Sequence, residues 1–226
     1  PAEEQSKYEV LGAHWPSQRD HGTMRRAARA FADTIRTQRF KAVVFDYDGT
    51  LCSSQSKDAP PPPSVVDHLV RLARAGIVVG IASGRGGSIQ ACLQDVMPHD
   101  VLPKIRLGLY NGGWIGTANQ TLEFPPGTVE FLSHVTRIAR KLQSLGVPIE
   151  RISPKHPYQV SIRFRDGLPT DQMWFVIADS LRQAGLTNST MFRSKHSVDV
   201  LAPGVGKSEL IAHIIQHEKI DPHQVL

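Results

Sequence analysis

The sequence predicts an α/β protein that consists of a Rossmann-like parallel-sheet core and an inserted α+β segment. Two short apolar runs, residues 43–45 and 77–82, have the continuous hydrophobicity of strands that are covered on both faces. Between the two runs lies a helical stripe of apolar side chains: Val65, Val66, Leu69 and Leu72. A strand, a helix and a strand at this spacing predict parallel strands that are joined by a right-handed crossover.

The pattern changes near Asn111, where alternating strands replace continuously apolar ones. Residues 158–164 alternate between apolar and polar side chains, as expected of a strand with one buried face. We therefore expect a discontinuous core of residues 39–112 and 198–226, an inserted segment (the cap) of residues 113–197, and a linker with a basic helix in residues 1–38. The other expected elements are a short hairpin within residues 114–124, helices over residues 128–146, 171–184 and 209–217, one or two strands within residues 189–201, and a new strand that begins at the last residues.

The composition is that of an ordinary globular protein and excludes a disulfide framework. The 226 residues are 40% hydrophobic and 21% charged, and no apolar run reaches the roughly 18 residues of a membrane span. No segment near residue 1 has the layout of a signal peptide. The two cysteines, Cys52 and Cys92, form no ligand cluster, which favours a reducing cytoplasm.

The net charge of +5 is concentrated in one segment. Residues 19–41 contain seven basic and two acidic side chains, which accounts for the whole excess of positive charge. Such a segment can attract nucleic acid or an anionic membrane. The favoured interpretation is a solvated helix with scattered arginines, so we expect no membrane partner, and residues 19–41 leave nucleic acid open as a partner.

Two aspartates follow the first predicted strand in the stretch FDYDGTL. While the chain stays extended, Asp46 and Asp48 point the same way and Tyr47 points away. Two carboxylates so close repel one another unless a cation or a shared proton relieves the repulsion. The pair therefore indicates a metal ion, a proton-transfer role, or both. A simple turn at Gly49 is the alternative, but an apolar strand rarely ends in this way.

Ser83 and Lys207 are the polar residues expected to join the aspartates. Ser83 follows the second apolar strand, and ligands of open parallel sheets bind beyond the carboxyl ends of the strands. Taken alone, Ser83 could be a helix-cap residue. Lys207 lies in GVGKS, but a P-loop requires glycine where this chain has Leu201, so that interpretation fails.

These motifs, in this order, resemble a known superfamily. FDYDGTL, IASGR and PGVGKSEL are similar to the first three motifs of the haloacid-dehalogenase (HAD) phosphatases, and the segment between the second and third resembles the large cap of sugar-phosphate phosphatases of the Cof, sucrose-phosphatase and trehalose-phosphatase type. The resemblance covers residues 39–226. It implies a Mg²⁺-dependent phosphomonoester hydrolase with a small phosphorylated substrate, such as a sugar phosphate.

The resemblance also implies a role for each matching residue. Asp46 would be the nucleophile that forms an aspartyl-phosphate, and Asp48 would protonate the leaving oxygen and later take a proton from water. Both aspartates would bind Mg²⁺, Asp48 through its main-chain carbonyl. The phosphate would be held by four residues: Thr50, Ser83, Gly84 and Lys207.

Other candidates are weaker. Arg85 and Arg163 are candidate substrate contacts, although for Arg163 a solvated sheet face is an equal alternative. His213 and His217 have the i, i+4 spacing of metal ligands, but no third ligand is evident, so a helix surface is the preferred interpretation.

The family's fourth motif, an acidic Gly-Asp pair followed by another Asp, would be expected directly after the last residues and is absent from this sequence. Neither Asp199 nor Asp221 replaces it, so we expect the chain to be an interior piece of a larger polypeptide with further domains, and nearly inactive alone. Two alternatives remain open: a noncatalytic HAD-like module that binds phosphate or a partner, and a phosphotransferase or phosphomutase.

Overall fold

The computed structural model describes residues 18–53, 59–124, 129–165, 167, 170–188, 190–193 and 197–226 and divides the chain into two compact units, residues 1–40 and 41–226. In the first unit, helix α1 (Gln18–Thr37) confirms the predicted basic helix. Its apolar side chains Met24 and Phe31 are exposed. The predicted linker over residues 1–17 lies outside the described residues. No helix in the described ranges combines the length and apolarity that a membrane span requires.

The second unit begins with a four-stranded sheet in the order β1-β2-β3-β4. Strands β1 and β2 are parallel, as the sequence predicts; β3, which the sequence analysis did not identify, is parallel to β2, and β4 is antiparallel to β3. The strands are β1 (Ala42–Asp46), β2 (Val78–Ala82), β3 (Ile105–Leu109) and β4 (Trp114–Thr117). Helices α2 (Pro63–Arg74) and α3 (Gly87–Val96) follow β1 and β2, and a 3₁₀ turn (Leu102–Lys104) precedes β3.

Both ends of the second unit meet at β1. The amide of Val44 donates to the carbonyl of Leu226 at 2.8 Å, and the amide of Leu226 donates to the carbonyl of Ala42 at 3.0 Å. Ala42 and Val225 form a parallel bridge. Residues 224–226 therefore run along the edge of β1, which agrees with the predicted start of a new strand.

The second sheet is antiparallel throughout, in the order β5-β6-β8-β7. Its strands are β5 (Ile149–His156), β6 (Gln159–Phe164), β7 (Thr190–Arg193) and β8 (Ser197–Leu201), and its helices are α4 (Glu130–Ser144) and α5 (Thr170–Gln183). Val160, Ile162 and Phe164 of β6 are almost fully buried in a cluster with side chains of α4 and α5. The alternation over residues 158–164 correctly predicts this half-buried strand.

Two strand assignments from the sequence are wrong. Residues 114–117 do not form a hairpin inside the cap but pair with β3, because the chain reverses directly at residues 110–113. Residues 198–201 do not belong to the core sheet but pair with β6 and β7. Val198 and Val200 are fully buried while Asp199 is only partly buried, and this alternation is typical of the antiparallel sheet. The remaining boundaries of core and cap stay a prediction.

Helix α6 (Ser208–Glu218) returns from the second sheet and packs on the first. Leu210 and Ile214 are fully buried against glycines of β2 and β3. A Cβ at Gly108 would lie 2.9 Å from the Cβ of Leu210, so the helix approaches the sheet backbone closely. This contact fixes α6 and the residue that precedes it, Lys207. A short 3₁₀ turn (Pro222–Gln224) follows the helix.

Candidate active site

Strand register brings the predicted residues to one edge of the first sheet. Asp46, the last residue of β1, is the partner of Ala82, the last residue of β2. Ser83, the residue after Ala82, therefore lies one residue past the strand position that is paired with Asp46. Both residues are at the carboxyl ends of parallel strands, where open α/β sheets bind their ligands.

Each of the two aspartates has a cation beside it. The Nζ of Lys207 donates to Oδ1 of Asp46 at 2.8 Å, and Nη1 of Arg85 donates to Oδ1 of Asp48 at 3.3 Å. The charge repulsion that the sequence predicts between the carboxylates is therefore relieved by two basic side chains. Arg85 contacts Asp48, and its expected contact with the substrate stays a prediction.

At the turn after β1, the side chains of the two aspartates are at least partly exposed, and the side chain between them is buried. Tyr47 is fully buried, whereas Asp46 is exposed and Asp48 is partly exposed, as the alternation predicts. The Tyr47 carbonyl accepts hydrogen bonds from the amides of Thr50, Leu51 and Cys52, which closes the turn. Gly49 has a φ of 81°, a conformation that favours glycine. Burial raises the pKa of Tyr47 to about 12.

One oxygen of Asp46 is held and the other is open. Oδ1 of Asp46 accepts from Lys207 and also from the backbone amide of Tyr47, at 2.9 Å. Within the described part of the chain, no hydrogen bond ends on Oδ2. The carboxylate is thus fixed in orientation with one oxygen free to act as a nucleophile or as a ligand.

Ser83 is fully buried at the start of the loop that leads to α3. Its Oγ accepts from the amide of Arg85 at 3.0 Å, so this hydroxyl orders the loop. A Cβ at Gly84 would lie 3.1 Å from Oδ1 of Asn111. Only a small residue at position 84 keeps this spacing.

The turn between β3 and β4 is the part of the site that sequence reasoning missed. Tyr110, Asn111 and Gly112 all have positive φ, at 54°, 58° and 83°. Their amides are used inside the site: Tyr110 donates to the carbonyl of Arg85, and Asn111 donates to the carbonyl of Ser83, both at 2.8 Å. Asn-Gly between two apolar runs is a strong hairpin signal, and it could have predicted this turn.

The same turn contacts the second sheet. Nδ2 of Asn111, a nearly buried residue, donates to Oε1 of Gln159 in β6 at 3.0 Å. The Tyr110 ring packs against Tyr158, with centroids 5.9 Å apart, and against Phe124 at 5.4 Å. Asn111 thus joins the loop of Ser83 to the second sheet.

Thr50 and Arg163 are predicted to contact the phosphate or the substrate, but their side chains make no hydrogen bond to the other described site residues. Thr50 is exposed at the turn after Asp48, and its hydroxyl makes no hydrogen bond to the described residues. Arg163 is about half exposed and pairs with Glu150 at 3.3 Å. Roles for Thr50 and Arg163 toward a substrate stay predictions.

Asp46 and Asp48 offer the oxygen ligands that a hard cation prefers. No group of three or more His, Cys, Asp and Glu side chains suited to a metal occurs among the described residues. Mg²⁺, however, is usually bound by one or two carboxylates together with waters and substrate phosphate. The open Oδ2 of Asp46 and the oxygens of Asp48 match that requirement.

Known structures share this architecture, although no family model matches the sequence and no curated protein matches it significantly. Trehalose-6-phosphate phosphatase of Aspergillus fumigatus is 23% identical, with a TM-score of 0.60 over 85% of this chain and 71% of that one. A haloacid dehalogenase-like hydrolase of Bacteroides thetaiotaomicron is 15% identical, with a TM-score of 0.61 over 83% and 80%.

A third structure, the C-terminal domain of Candida albicans trehalose-6-phosphate phosphatase, is 17% identical, with a TM-score of 0.58 over 82% of this chain and 64% of that one. All three likenesses cover more than four fifths of this chain, in agreement with the fold that the sequence predicts. The chain therefore has the fold of the haloacid-dehalogenase superfamily phosphatases: a Rossmann-like α/β core with an inserted α+β cap.

Proposed function

We propose that the chain is a Mg²⁺-dependent phosphomonoester hydrolase that acts through an aspartyl-phosphate on Asp46. The observation that carries this proposal is the 2.8 Å contact between Lys207 and Oδ1 of Asp46 at the carboxyl ends of β1 and β2. An ammonium group beside a fixed carboxylate with one open oxygen suits attack on an anionic phosphate.

In the first step, Oδ2 of Asp46 attacks phosphorus, a new P–O bond forms, and the bond from phosphorus to the ester oxygen breaks. Asp48 gives its proton to the leaving oxygen. In the second step, Asp48 takes a proton from a water molecule whose oxygen attacks phosphorus, the bond from phosphorus to Oδ2 of Asp46 breaks, and inorganic phosphate leaves. Arg85 holds the Asp48 carboxylate in place during the second step.

The phosphate is bound by groups that surround Asp46. Lys207 neutralises charge on the phosphate and on the nucleophile, and the hydroxyls of Ser83 and Thr50 donate to its oxygens. The backbone at Gly84 allows close approach. Asp46 and the main-chain carbonyl of Asp48 would hold a Mg²⁺ ion, which would supply positive charge to offset that of the phosphate.

The cap supports a proposal for the substrate class. We propose a small phosphorylated metabolite such as a sugar phosphate, because the turn at residues 110–112 places Tyr158 and Gln159 of the second sheet beside the loop of Ser83. Two of the similar structures are trehalose-6-phosphate phosphatases, which is consistent with this proposal. Cys52 and Cys92 are free thiols, which supports a reducing cytoplasm as the location.

The test is turnover by Asp46→Asn. The amide has the same shape as the carboxylate but cannot form the acyl-phosphate, so we expect phosphate release from a generic phosphomonoester in Mg²⁺ to be abolished while the fold is kept. Asp100→Asn is the matched control, because Asp100 pairs with Arg74 on the surface. Turnover by Asp46→Asn near the unmodified rate would refute the proposal. Transfer of phosphate to a sugar hydroxyl, without free phosphate, would instead indicate a phosphotransferase.

A further inference from the structure

The turn between β3 and β4 has an unusual backbone that the proposed chemistry does not explain. Tyr110, Asn111 and Gly112 follow one another in the left-handed region, with φ of 54°, 58° and 83°. This region is uncommon for residues other than glycine, because the Cβ crowds the backbone. Strained residues persist where the surrounding structure holds them, and they are frequent at functional sites. The turn is therefore a candidate for a role beyond the reversal of the chain.

On the side of the first sheet, Asn111 holds the loop of Ser83. Its backbone amide donates to the carbonyl of Ser83 at 2.8 Å, and its side chain is nearly buried. The side-chain amide packs against Gly84, where a Cβ would lie 3.1 Å from Oδ1 and 3.4 Å from Nδ2 of Asn111. The positions of residues 83 and 84 therefore depend on where the Asn111 side chain lies.

On the other side, the same side chain contacts the second sheet. Nδ2 of Asn111 donates at 3.0 Å to Oε1 of Gln159, the first residue of β6. The next residue, Val160, is fully buried under the helices of the second sheet, so Gln159 belongs to the opposite face of that sheet. One hydrogen bond thus joins the loop of Ser83 to the sheet face that the helices do not cover.

This hydrogen bond lies close to the place where the two segments that connect the sheets meet. A Cβ at Gly112 would collide with the carbonyl oxygen of Gly206, so the two backbones touch there. Asn111 is the neighbour of Gly112 in the chain. Movement of the second sheet about this contact would therefore change the distance between Nδ2 of Asn111 and Oε1 of Gln159.

We propose that Asn111 is a positioning residue, which holds Ser83 and Gly84 in the conformation that binds phosphate and makes this conformation depend on Gln159 of the cap. The inference rests on the proposed function only through phosphate binding at residues 83 and 84. Asn111 acts through its neighbours, because its backbone amide and its Nδ2 are both engaged in hydrogen bonds. A contact that favours one position of the cap then favours phosphate binding, and the reverse holds by linkage.

The test is the affinity of the 226-residue chain for inorganic phosphate in Mg²⁺, measured by calorimetry for Asn111→Gly, Gln159→Met and the double variant. Glycine suits the positive φ at position 111, and methionine keeps the side-chain length at position 159 without the oxygen acceptor. Loss of one hydrogen bond corresponds to about a threefold to tenfold change in affinity. We expect each single variant to weaken phosphate binding by at least about this factor. The double variant should bind no more weakly than Asn111→Gly, because both changes remove the same connection.

Turnover assays separate this role from a merely structural one. Both single variants should raise KM for a phosphomonoester and keep kcat within about threefold, because the groups that carry out the chemistry are unchanged. Gln143→Met is the matched control: Gln143 lies on α4, and its Nε2 donates to the carbonyl of Ile149 at 2.9 Å, away from the turn. This control should leave the phosphate affinity and KM unchanged.

Four results would overturn the proposal: no phosphate binding by the unmodified chain, an unchanged affinity in Gln159→Met, independent losses that add in the double variant, or an equal loss in Gln143→Met. Additive losses would mean that Gln159 acts on the phosphate without Asn111. If the affinities change as expected but no phosphomonoester is hydrolysed, the proposed hydrolase function fails and the positioning role of Asn111 stands.

Discussion

Replacing Lys207 with methionine removes the cation beside Asp46 and keeps a flexible side chain of similar length. In the folded chain the side chains of Lys207 and Asp46 are 42% and 46% exposed. Ion pairs with that exposure are screened by solvent and contribute about 0–1 kcal/mol to stability. We therefore expect the free energy of unfolding to change by less than about 1 kcal/mol.

The same substitution should have a much larger effect on catalysis. Charge on the phosphate grows as Asp46 attacks, and a positioned donor at that point is worth about 10²–10³ in rate. We expect the turnover number for a phosphomonoester in saturating Mg²⁺ to fall by about this factor. The assays are urea unfolding and phosphate release on the same preparations.

Arg74→Met is the control for this comparison. Arg74 pairs with Asp100 at 3.1 Å, and their side chains are 54% and 60% exposed, so it is an ion pair of similar exposure away from the site. It should have the same small effect on unfolding and none on turnover. If Lys207→Met keeps turnover within about threefold, or destabilises the chain by more than about 2 kcal/mol, Lys207 is a structural residue and the reasoning fails.

Two further predictions concern buried polar atoms. The Tyr47 hydroxyl has no hydrogen-bond partner among the described residues, so Tyr47→Phe should raise the free energy of unfolding by about 1 kcal/mol in a urea titration, and a loss of stability would contradict this. Burial raises the pKa of Asp199 against hydrogen bonds from Ser161 and Ser197, so the folded state holds the Asp199 proton more tightly than the unfolded state. Ionisation of Asp199 therefore lowers the free energy of unfolding, and this loss grows as pH rises above about 3.9. Asp199→Asn should be more stable than the unmodified chain at pH 7 and should lose that advantage at pH 3. Equal stability at pH 7 would contradict the assignment.

The parallel strands and the positions of Asp46, Ser83 and Lys207 could be predicted from the sequence. Each of these residues follows or precedes an element with a clear hydrophobic period, and parallel topology brings strand ends to one edge. The 2.8 Å contact of Lys207 with Asp46 depends in addition on the packing of α6 against Gly108, which fixes Lys207 at the start of that helix. The ion pair of Arg85 with Asp48 could not be predicted, because it depends on how the loop after β2 folds.

The pairing partners of β4 and β8, the strands at the two junctions between the sheets, could not be predicted from the sequence. Strand β4 is only four residues long, and its pairing depends on the left-handed turn that begins at Tyr110. A tyrosine gives no sign of positive φ in a sequence, although Asn111-Gly112 does. Strand β8 has the alternation of an antiparallel strand, but its position directly before the motif of Lys207 favoured the core. Local patterns predict the type of a strand better than they predict its partners.

The most direct test of the proposed chemistry is detection of a phosphoryl group on Asp46. Because the 226-residue chain is expected to turn over slowly, it is incubated with a phosphomonoester and Mg²⁺ for a time long enough to allow one slow turnover, quenched in acid, and digested for mass spectrometry of the peptide that contains residues 42–52. Our account predicts an acid-stable, hydroxylamine-labile phosphoryl group on Asp46 that is absent from Asp46→Asn. Phosphate release without phosphorylation of Asp46, or with the phosphoryl group on another residue, would contradict it.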